Sequence, residues 1–401
     1  MALNDLMNEA RKETFNAVGP VMQEKSIERV LELIKDKNGE TVRDKQMQTI
    51  VDRLVEYVSS KEEDLRDIAS LGLKTVMAEV PADSELAVSA GNKLVPRLLA
   101  QISDPSASQE LLIDSLDVIA DYFTRFSAIV ATNVQLQVNA SQVLLSALSH
   151  TRATVRKRAM LGLGALGACS TSEVFTGLAE FIAATLVDNK SSTDVVKAVV
   201  QLQGTLARTC PRRLGRRLPE FMPRVLAITS SARAEEDDEL REVCLQAMES
   251  ILLRCHTEVT PFVTQIVELS VELIKYDPNY AGGDDDSDEE MAEDDDVDED
   301  DDFIDDEYSD DDDLSWKVRR ASAKVLHTTI TTRSELLSSF AVAIAPTLIS
   351  RFSEREESVR LEVLSTFLAF LRQVQIFGGG AQATEVMRPS PGALKTQAGS
   401  D

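Results

Sequence analysis

One short pattern, V-R-x-x-A, recurs along this chain at a near-constant interval, and it constrains the fold more than any other feature. Its copies and looser variants share an apolar first residue, at Leu65, Leu111, Val155, Leu240, Val318 and Val359. The steps between them are 46, 44, 85, 78 and 41 residues. The step of 85 indicates two units of about 42 residues, and the step of 78 indicates one such unit plus an insertion of about 36.

Each copy opens an amphipathic helix. After Val359, apolar residues fall on one face of a helix with 3.6 residues per turn, at Val363, Leu364, Phe367, Leu368 and Leu371. Thr154, Ser315 and Ser358 stand near the helix starts, where N-caps are expected.

A second helix precedes each copy, and three of these helices contain a proline, at Pro96, Pro223 and Pro346. A proline inside a helix removes a backbone hydrogen bond and bends the helix. A bent helix followed by a straight one, at this period, is typical of HEAT rather than armadillo repeats. The sequence therefore predicts an all-α fold, a HEAT-repeat α-solenoid wound as a superhelix. The repeated arginines are expected to form a structural ladder with acids of neighbouring repeats.

Acidic residues concentrate in one block. Between Asp284 and Asp313, 22 of 30 residues are acids, so most of the net charge of −26 lies there. Such a segment repels itself and has little apolar surface to bury. We expect repeats over 1–280 and 314–377, an acidic disordered loop over 281–313 and a disordered tail over 378–401.

Calcium binding by this acidic block is disfavoured, because the spaced D-x-D-x-D-G pattern is missing. Binding of histones or other basic proteins to the block stays open. Ser287 and Ser309, each followed by acids, are candidate phosphorylation sites.

No catalytic constellation is evident. The three histidines lie far apart, and the four cysteines show no CxxC spacing, so we expect buried free thiols in a reducing compartment and neither a metal nor a cofactor. The G-x-G-x-x-G letters at Gly162, Gly164 and Gly167 fall inside a helix, where small residues favour close packing rather than dinucleotide binding. No apolar run is long enough to span a membrane, and the N-terminus does not resemble a signal peptide.

The densest basic cluster surrounds the turn after Cys210, with candidate partner-binding residues at Arg212, Arg213, Arg216 and Arg217. A solvated basic turn explains it, and so does an acidic protein partner or the chain's own acidic block. Nucleic acid is disfavoured, because no aromatic residues that could stack on bases are interleaved.

Several stretches resemble one protein family, in order along the chain: Asn4–Met7, Asp36–Glu40, Asp64–Val76, Val155–Arg158, Asp237–Glu242, Tyr276–Tyr280, Asp306–Ala321, Leu348–Phe352 and Glu354–Glu357. Together they are similar to the N-terminal part of the cullin-associated, neddylation-dissociated family of long HEAT solenoids. In comparison with that family, we expect one helix to be missing near residues 41–45 and the C-terminal part, which the resemblance implies displaces adaptor and receptor, to be absent.

The resemblance implies a non-enzymatic regulator of cullin–RING ubiquitin ligases, active in the cytoplasm and nucleus. Its expected partners are an unneddylated cullin and its RING subunit, with no nucleic-acid or membrane partner, and the chain is expected to be a monomer. In the family the full-length protein exchanges substrate receptors, whereas this shorter chain is expected only to bind. The alternative functions are a karyopherin-type nuclear transport receptor and another kind of HEAT scaffold, such as a phosphatase-type scaffold.

Overall fold

A computed structural model describes residues 52–278 and 314–377, apart from scattered positions between 55 and 83, Asn189 and residues 232–236. Several predictions concern residues outside this part of the chain. They are the helix missing near 41–45, the acidic loop over 281–313 with Ser287 and Ser309, and the tail over 378–401.

The described residues fall into two compact units that divide between Val225 and Leu226. After helical residues between 52 and 77, the helices of the first unit are α1 (Glu85–Ile102), α2 (Gln109–Arg125), α3 (Ser127–Thr132), α4 (Val134–Ala147), α5 (Ala153–Cys169), α6 (Ser172–Val187), α7 (Thr193–Thr209) and α8 (Pro211–Gly215). Helix α9 (Leu218–Thr229) contains the division.

The second unit continues with α10 (Asp238–Arg254), a 3-10 turn (Thr260–Phe262), α11 (Val263–Leu273), α12 (Ser315–Thr332), a second 3-10 turn (Ser334–Leu336), α13 (Leu337–Ala343), α14 (Ala345–Ser350) and α15 (Glu357–Phe377). The part of the chain that the structure describes contains no strand, which confirms the all-α prediction. None of its helices is both long and apolar enough to cross a membrane.

The helices that open at the V-R-x-x-A copies, together with α7 in the repeat without a copy, are here called the second helices, and they stack directly on one another. In the first unit α2 packs against α5 and α5 against α7, and in the second unit α10 packs against α12 and α12 against α15. This stacking is what a HEAT solenoid requires, because each repeat buries its apolar face only against its neighbours.

Two of the three prolines lie inside first helices, as the sequence predicts, and the third does not. Pro96 lies inside α1 and Pro223 inside α9. Pro346 instead stands in the first turn of α14, where its missing N–H costs no helical bond. The first helix of that repeat is consequently divided at Ile344 into α13 and α14.

The N-cap interpretation of Thr154, Ser315 and Ser358 is wrong. All three lie within their helices, and the capping positions of α5 and α12 are Arg152 and Leu314, neither of which accepts a capping bond. The Ser315 hydroxyl instead accepts a hydrogen bond from Arg319 at 2.8 Å. Capping side chains begin other second helices, such as Ser108 at α2, Ser192 at α7 and Asp237 at α10.

Glycines allow α5 to approach α7 closely. A Cβ atom added at Gly164 would lie 2.6 Å from Cγ2 of Thr205, and one at Gly167 would lie 2.7 Å from Cδ2 of Leu206. Real Cβ atoms do not approach other heavy atoms so closely. The G-x-G-x-x-G letters are therefore explained by helix packing, as the sequence predicts.

Candidate partner-binding surface

The repeated arginine closes the turn between the two helices of its own repeat. Arg156 donates from Nη1 to the carbonyls of His150 at 2.9 Å and Thr151 at 2.8 Å. Arg66 and Arg360 also donate to a carbonyl six residues earlier, at 3.5 and 3.3 Å. These bonds supply a charged donor to backbone oxygens in the turn between the two helices.

The same bond persists where the turn is longer. Arg241 donates to the carbonyl of Thr229, 12 residues earlier, and Arg319 donates to the carbonyl of Tyr276, 43 residues earlier. Compared with the spacing of six, these turns contain 6 and 37 additional residues. The second value is close to the insertion of about 36 residues that the repeat spacing predicts. Arg319 therefore joins the two ends of the acidic insertion.

Ion pairs join the arginines of one repeat to acids of the next, which confirms the predicted ladder at two positions. In the first unit Arg156 lies 3.5 Å from Asp194. In the second unit Arg319 lies 3.2 Å from Glu354, and both side chains are 1% exposed. The Arg319–Glu354 pair is buried in the stack, whereas in the other pair Arg156 is 14% exposed and Asp194 is 58% exposed. Both pairs join neighbouring repeats, which is a structural role.

A stripe of solvent-accessible side chains remains on each second helix. Relative to the apolar residue of the motif, or to Val195 in α7, it occupies the second, sixth and thirteenth positions that follow, which share one helix face. On α2 and on the helices of the second unit it also includes the ninth position, which on α5 and α7 is a buried glycine. In the first unit the more prominent members are Ile113, Asp117 and Thr124 on α2, Lys157, Leu161 and Ala168 on α5, and Lys197, Gln201 and Arg208 on α7. Arg158, which is next to the stripe on α5, lies 3.4 Å from Asp117 in the stripe on α2, so an ion pair links the two helices at this surface.

In the second unit the stripes change character from one helix to the next. We call the following residues the unit 2 stripe: Glu242, Gln246, Glu249 and Leu253 on α10; Arg320, Lys324, His327 and Thr331 on α12; Leu361, Ser365, Leu368 and Arg372 on α15. The row on α10 is acidic, the row on α12 is basic and the row on α15 is half apolar. Such a pattern of charged and apolar rows is what electrostatic and apolar complementarity to a partner requires.

The charges of neighbouring rows act on each other. Burial raises the pKa of Glu242 above its ordinary value, while the cations of Lys317, Arg320 and Lys324 oppose that rise. The basic row of α12 therefore lies alongside α10. In the described part of the chain no group of three or more histidine, cysteine or acidic residues is placed to hold a metal ion.

The structure divides the predicted arginine cluster by role. The Arg213 guanidinium donates to the carbonyls of Gly167, Ser170 and Thr171 at 2.8, 2.8 and 2.9 Å. It also lies over the ring of Phe175, 4.4 Å from its centroid.

Burial lowers the pKa of Arg213, although an arginine remains protonated. Arg217 pairs with Glu220 at 2.8 Å, whereas Arg212 and Arg216 are exposed. Partner binding by the cluster stays a prediction, and the exposed pair is the part placed to carry it.

Replacing Arg213 with methionine is expected to lower the free energy of unfolding by about 1.5 kcal/mol, since carbonyls at the C-terminal end of α5 lose a charged donor. Replacing Arg212 with methionine serves as the matched control and is expected to change stability by less than about 0.5 kcal/mol. Urea denaturation followed by circular dichroism measures both. Equal effects would show that Arg213 has no special structural role.

The four cysteines are free thiols, and Cys210, Cys244 and Cys255 are buried, while Cys169 is half-buried. Burial raises the pKa of Cys169 to about 11. A thiol with so high a pKa is almost wholly protonated near neutral pH and is a poor nucleophile.

No protein-family model matches the chain. It is 36% identical over 415 residues to "Cullin-associated NEDD8-dissociated protein 1" of Dictyostelium discoideum, which covers 97% of this chain and 33% of the relative. It is 37% identical over 391 residues to the protein of the same name in Drosophila melanogaster, covering 94% of this chain and 30% of the relative. With "Cullin-associated NEDD8-dissociated protein 2" of Mus musculus it shares 36% identity over 407 residues, which covers 96% of this chain and 32% of the relative. The chain thus spans about a third of the length of these curated relatives.

Solved structures with the same fold include nuclear transport proteins. The "Kap95:Nup1 complex" aligns with a TM-score of 0.59 at 12% identity, covering 96% of this chain and 48% of that one. Importin beta crystallised in a polyethylene glycol condition aligns with a TM-score of 0.54 at 14% identity, and the alignment covers 93% of this chain and 44% of importin beta. At these identities the likeness concerns the fold alone, and it confirms the HEAT-type helical solenoid.

Proposed function

Because the chain belongs to the cullin-associated NEDD8-dissociated protein family, we propose that it is a non-enzymatic regulator of cullin–RING ubiquitin ligases. In this proposal it binds the unneddylated cullin and its RING subunit as a monomer, in the cytoplasm and nucleus. The observation that carries the proposal is the 36% identity that extends over 97% of the chain.

The architecture suits binding by many modest contacts spread over several repeats. Each second helix presents a short row of side chains, and within each unit one arginine–acid ion pair holds two neighbouring rows together. A preorganised surface loses little conformational entropy when a partner binds, so modest contacts can add up to a useful affinity. The proposal therefore requires neither a pocket nor a cofactor.

The rival function, nuclear transport, has support only from the shared fold, at 12–14% identity. A transport receptor would bind the small transport GTPase in its GTP form, and a cullin regulator would not. This difference allows one experiment to separate the two functions.

We expect the purified 401-residue chain to bind an unneddylated cullin–RING complex with a Kd tighter than about 10 μM. Binding should be at least tenfold weaker when the cullin is neddylated, and no binding to the GTP-loaded transport GTPase is expected. Calorimetry at fixed salt measures all three affinities. Binding to the GTPase without binding to the cullin would favour the transport function.

The exposed arginine pair provides a second arm of the same experiment. If Arg212 and Arg216 contact the partner, R212E/R216E should weaken cullin binding and reduce its dependence on salt concentration. The control is R152E, which reverses the charge of another exposed arginine, at the start of α5. Unchanged affinity at every salt concentration would leave the cluster as a solvated turn.

A further inference from the structure

The last described helix exposes an unusual row of leucines. Leu361, Leu364, Leu368 and Leu371 of α15 are 59%, 42%, 47% and 47% exposed. Their spacing of three, four and three residues places them on one side of the helix. A contiguous exposed apolar row is typical of a surface that another chain covers.

Comparison with the equivalent positions of the preceding repeat, 41 residues earlier, separates these four leucines into two pairs. Leu364 and Leu371 stand 41 residues after Ala323 and Ile330 of α12, both of which are 0% exposed. Ala323 lies under α15, since Thr366 of α15 donates from Oγ1 to its carbonyl at 3.2 Å. Leu364 and Leu371 thus occupy positions that a second helix uses for stacking.

The other pair belongs to the unit 2 stripe. Leu361 and Leu368 stand 41 residues after Arg320 and His327, which are solvent-accessible although α15 packs against α12. A further repeat stacked on α15 would therefore leave these two leucines uncovered, just as the stacking of α15 on α12 leaves Arg320 and His327 accessible. Their apolar character is a property of the partner-binding surface and not of the repeat stack.

A row of cations runs beside the two leucines. Arg320 is exposed and Lys324 is half-buried, and both lie on α12, the helix against which α15 packs. Packed helices have axes about 8–10 Å apart, which is close to the diameter of one α-helix with its side chains. A single helix can therefore lie over both rows and meet leucines on one side and cations on the other.

We propose that Leu361 and Leu368, together with Arg320 and Lys324, bind an acidic amphipathic helix of a partner protein. Leu361 and Leu368 are seven residues apart, about 10 Å along the helix axis, which suits a helix that anchors through residues i and i+7. Carboxylates beside those anchors pair with the cations of α12. Given the proposed function, the helix belongs to the cullin–RING scaffold.

A nucleic acid fits this surface less well. The cation row is one helix wide, with Glu242 and Glu249 of α10 on one side and leucines on the other. A phosphate backbone binds through a broad excess of positive charge and would be repelled by the carboxylates of α10.

The direct test uses a synthetic 18-residue helical peptide with leucines at i and i+7 flanked by glutamates, labelled with a fluorophore. Fluorescence anisotropy measures its binding to the full chain and to two leucine variants. L361S/L368S is expected to weaken binding at least about tenfold. The matched control L364S/L371S removes the same side chains from the stacking positions of the same helix and should change binding less than twofold.

A charge exchange provides the second readout. R320E/K324E should abolish binding of the acidic peptide and allow binding of a peptide in which lysines replace its glutamates. Circular dichroism verifies that all variants keep their helicity. Equal losses for both leucine pairs, failure of the charge exchange, or no saturable binding of the peptide would each overturn the proposal.

The cullin experiment separates this inference from the proposed function. If the peptide binds as described and the cullin–RING complex does not, the acidic-helix site stands and the proposed partner is wrong. If the cullin–RING complex binds equally to wild type and L361S/L368S and the peptide does not bind, the proposed function stands and the site is wrong.

Discussion

Replacement of Arg319 with methionine is expected to lower the free energy of unfolding by about 3 kcal/mol or more. The side chain is 1% exposed, and its guanidinium donates to the Tyr276 carbonyl at 3.1 Å, to Ser315 Oγ at 2.8 Å and to Glu354 at 3.2 Å. Methionine fills much of the same volume, but it removes a positive charge that pairs with the buried carboxylate of Glu354. It also leaves a carbonyl at one end of the acidic insertion without this donor. Urea denaturation of the whole chain measures the change.

Arg360 is the matched control because it has the same place in the motif of the next repeat. It is half-buried and makes a 3.3 Å bond to the Glu354 carbonyl, so R360M is expected to cost less than about 1.5 kcal/mol. The double variant R319M/E354Q should recover part of the loss, since it removes the buried negative charge. Without such recovery, the loss in R319M would have to come from packing rather than from the ion pair.

Replacement of Gly91 with alanine is expected to lower the free energy of unfolding by about 2–3 kcal/mol. The added Cβ would lie 1.9 Å from the Tyr122 hydroxyl oxygen and 2.6 Å from its Cζ. Tyr122 has little room to move, because it is 1% exposed, donates to the Ala87 carbonyl at 3.0 Å and packs against Phe126 at 4.9 Å between ring centroids. The steric cost exceeds the gain of about 1 kcal/mol that alanine brings within a helix. Thermal and urea denaturation measure the change.

Gly177 in α6 is the control for helix propensity. A Cβ at that position meets nothing within 4 Å, so G177A is expected to raise stability by up to about 1 kcal/mol. The double variant G91A/Y122F should be more stable than the sum of the single variants predicts, since phenylalanine lacks the oxygen nearest to the added methyl group. Strict additivity of G91A and Y122F would contradict the steric explanation.

The repeat architecture could be predicted from the sequence because it depends on local patterns that recur. Residues that open the second helices, from Leu65 to Val359, follow the 3.6-residue period and return at a near-constant interval. The structural role of Arg156 and Arg319 was equally predictable, since the same residue type at the same place in each repeat indicates a repeated contact. The length of the insertion before α12 followed from the same arithmetic and is close to the turn that Arg319 closes.

Only the tertiary structure distinguished residues that look alike in the sequence. Arg212 and Arg213 are adjacent arginines, yet one is exposed and the other donates to three backbone carbonyls from Gly167 to Thr171. Leu361 and Leu364 belong to one apolar row, yet their equivalents 41 residues earlier differ, since Arg320 is exposed and Ala323 is buried in the stack. Helical periodicity reports which residues share a face, whereas burial depends on what packs against that face from elsewhere in the chain. A neighbouring helix more than 40 residues away, such as the one that brings Thr366 to the Ala323 carbonyl, therefore decides the role of each side chain.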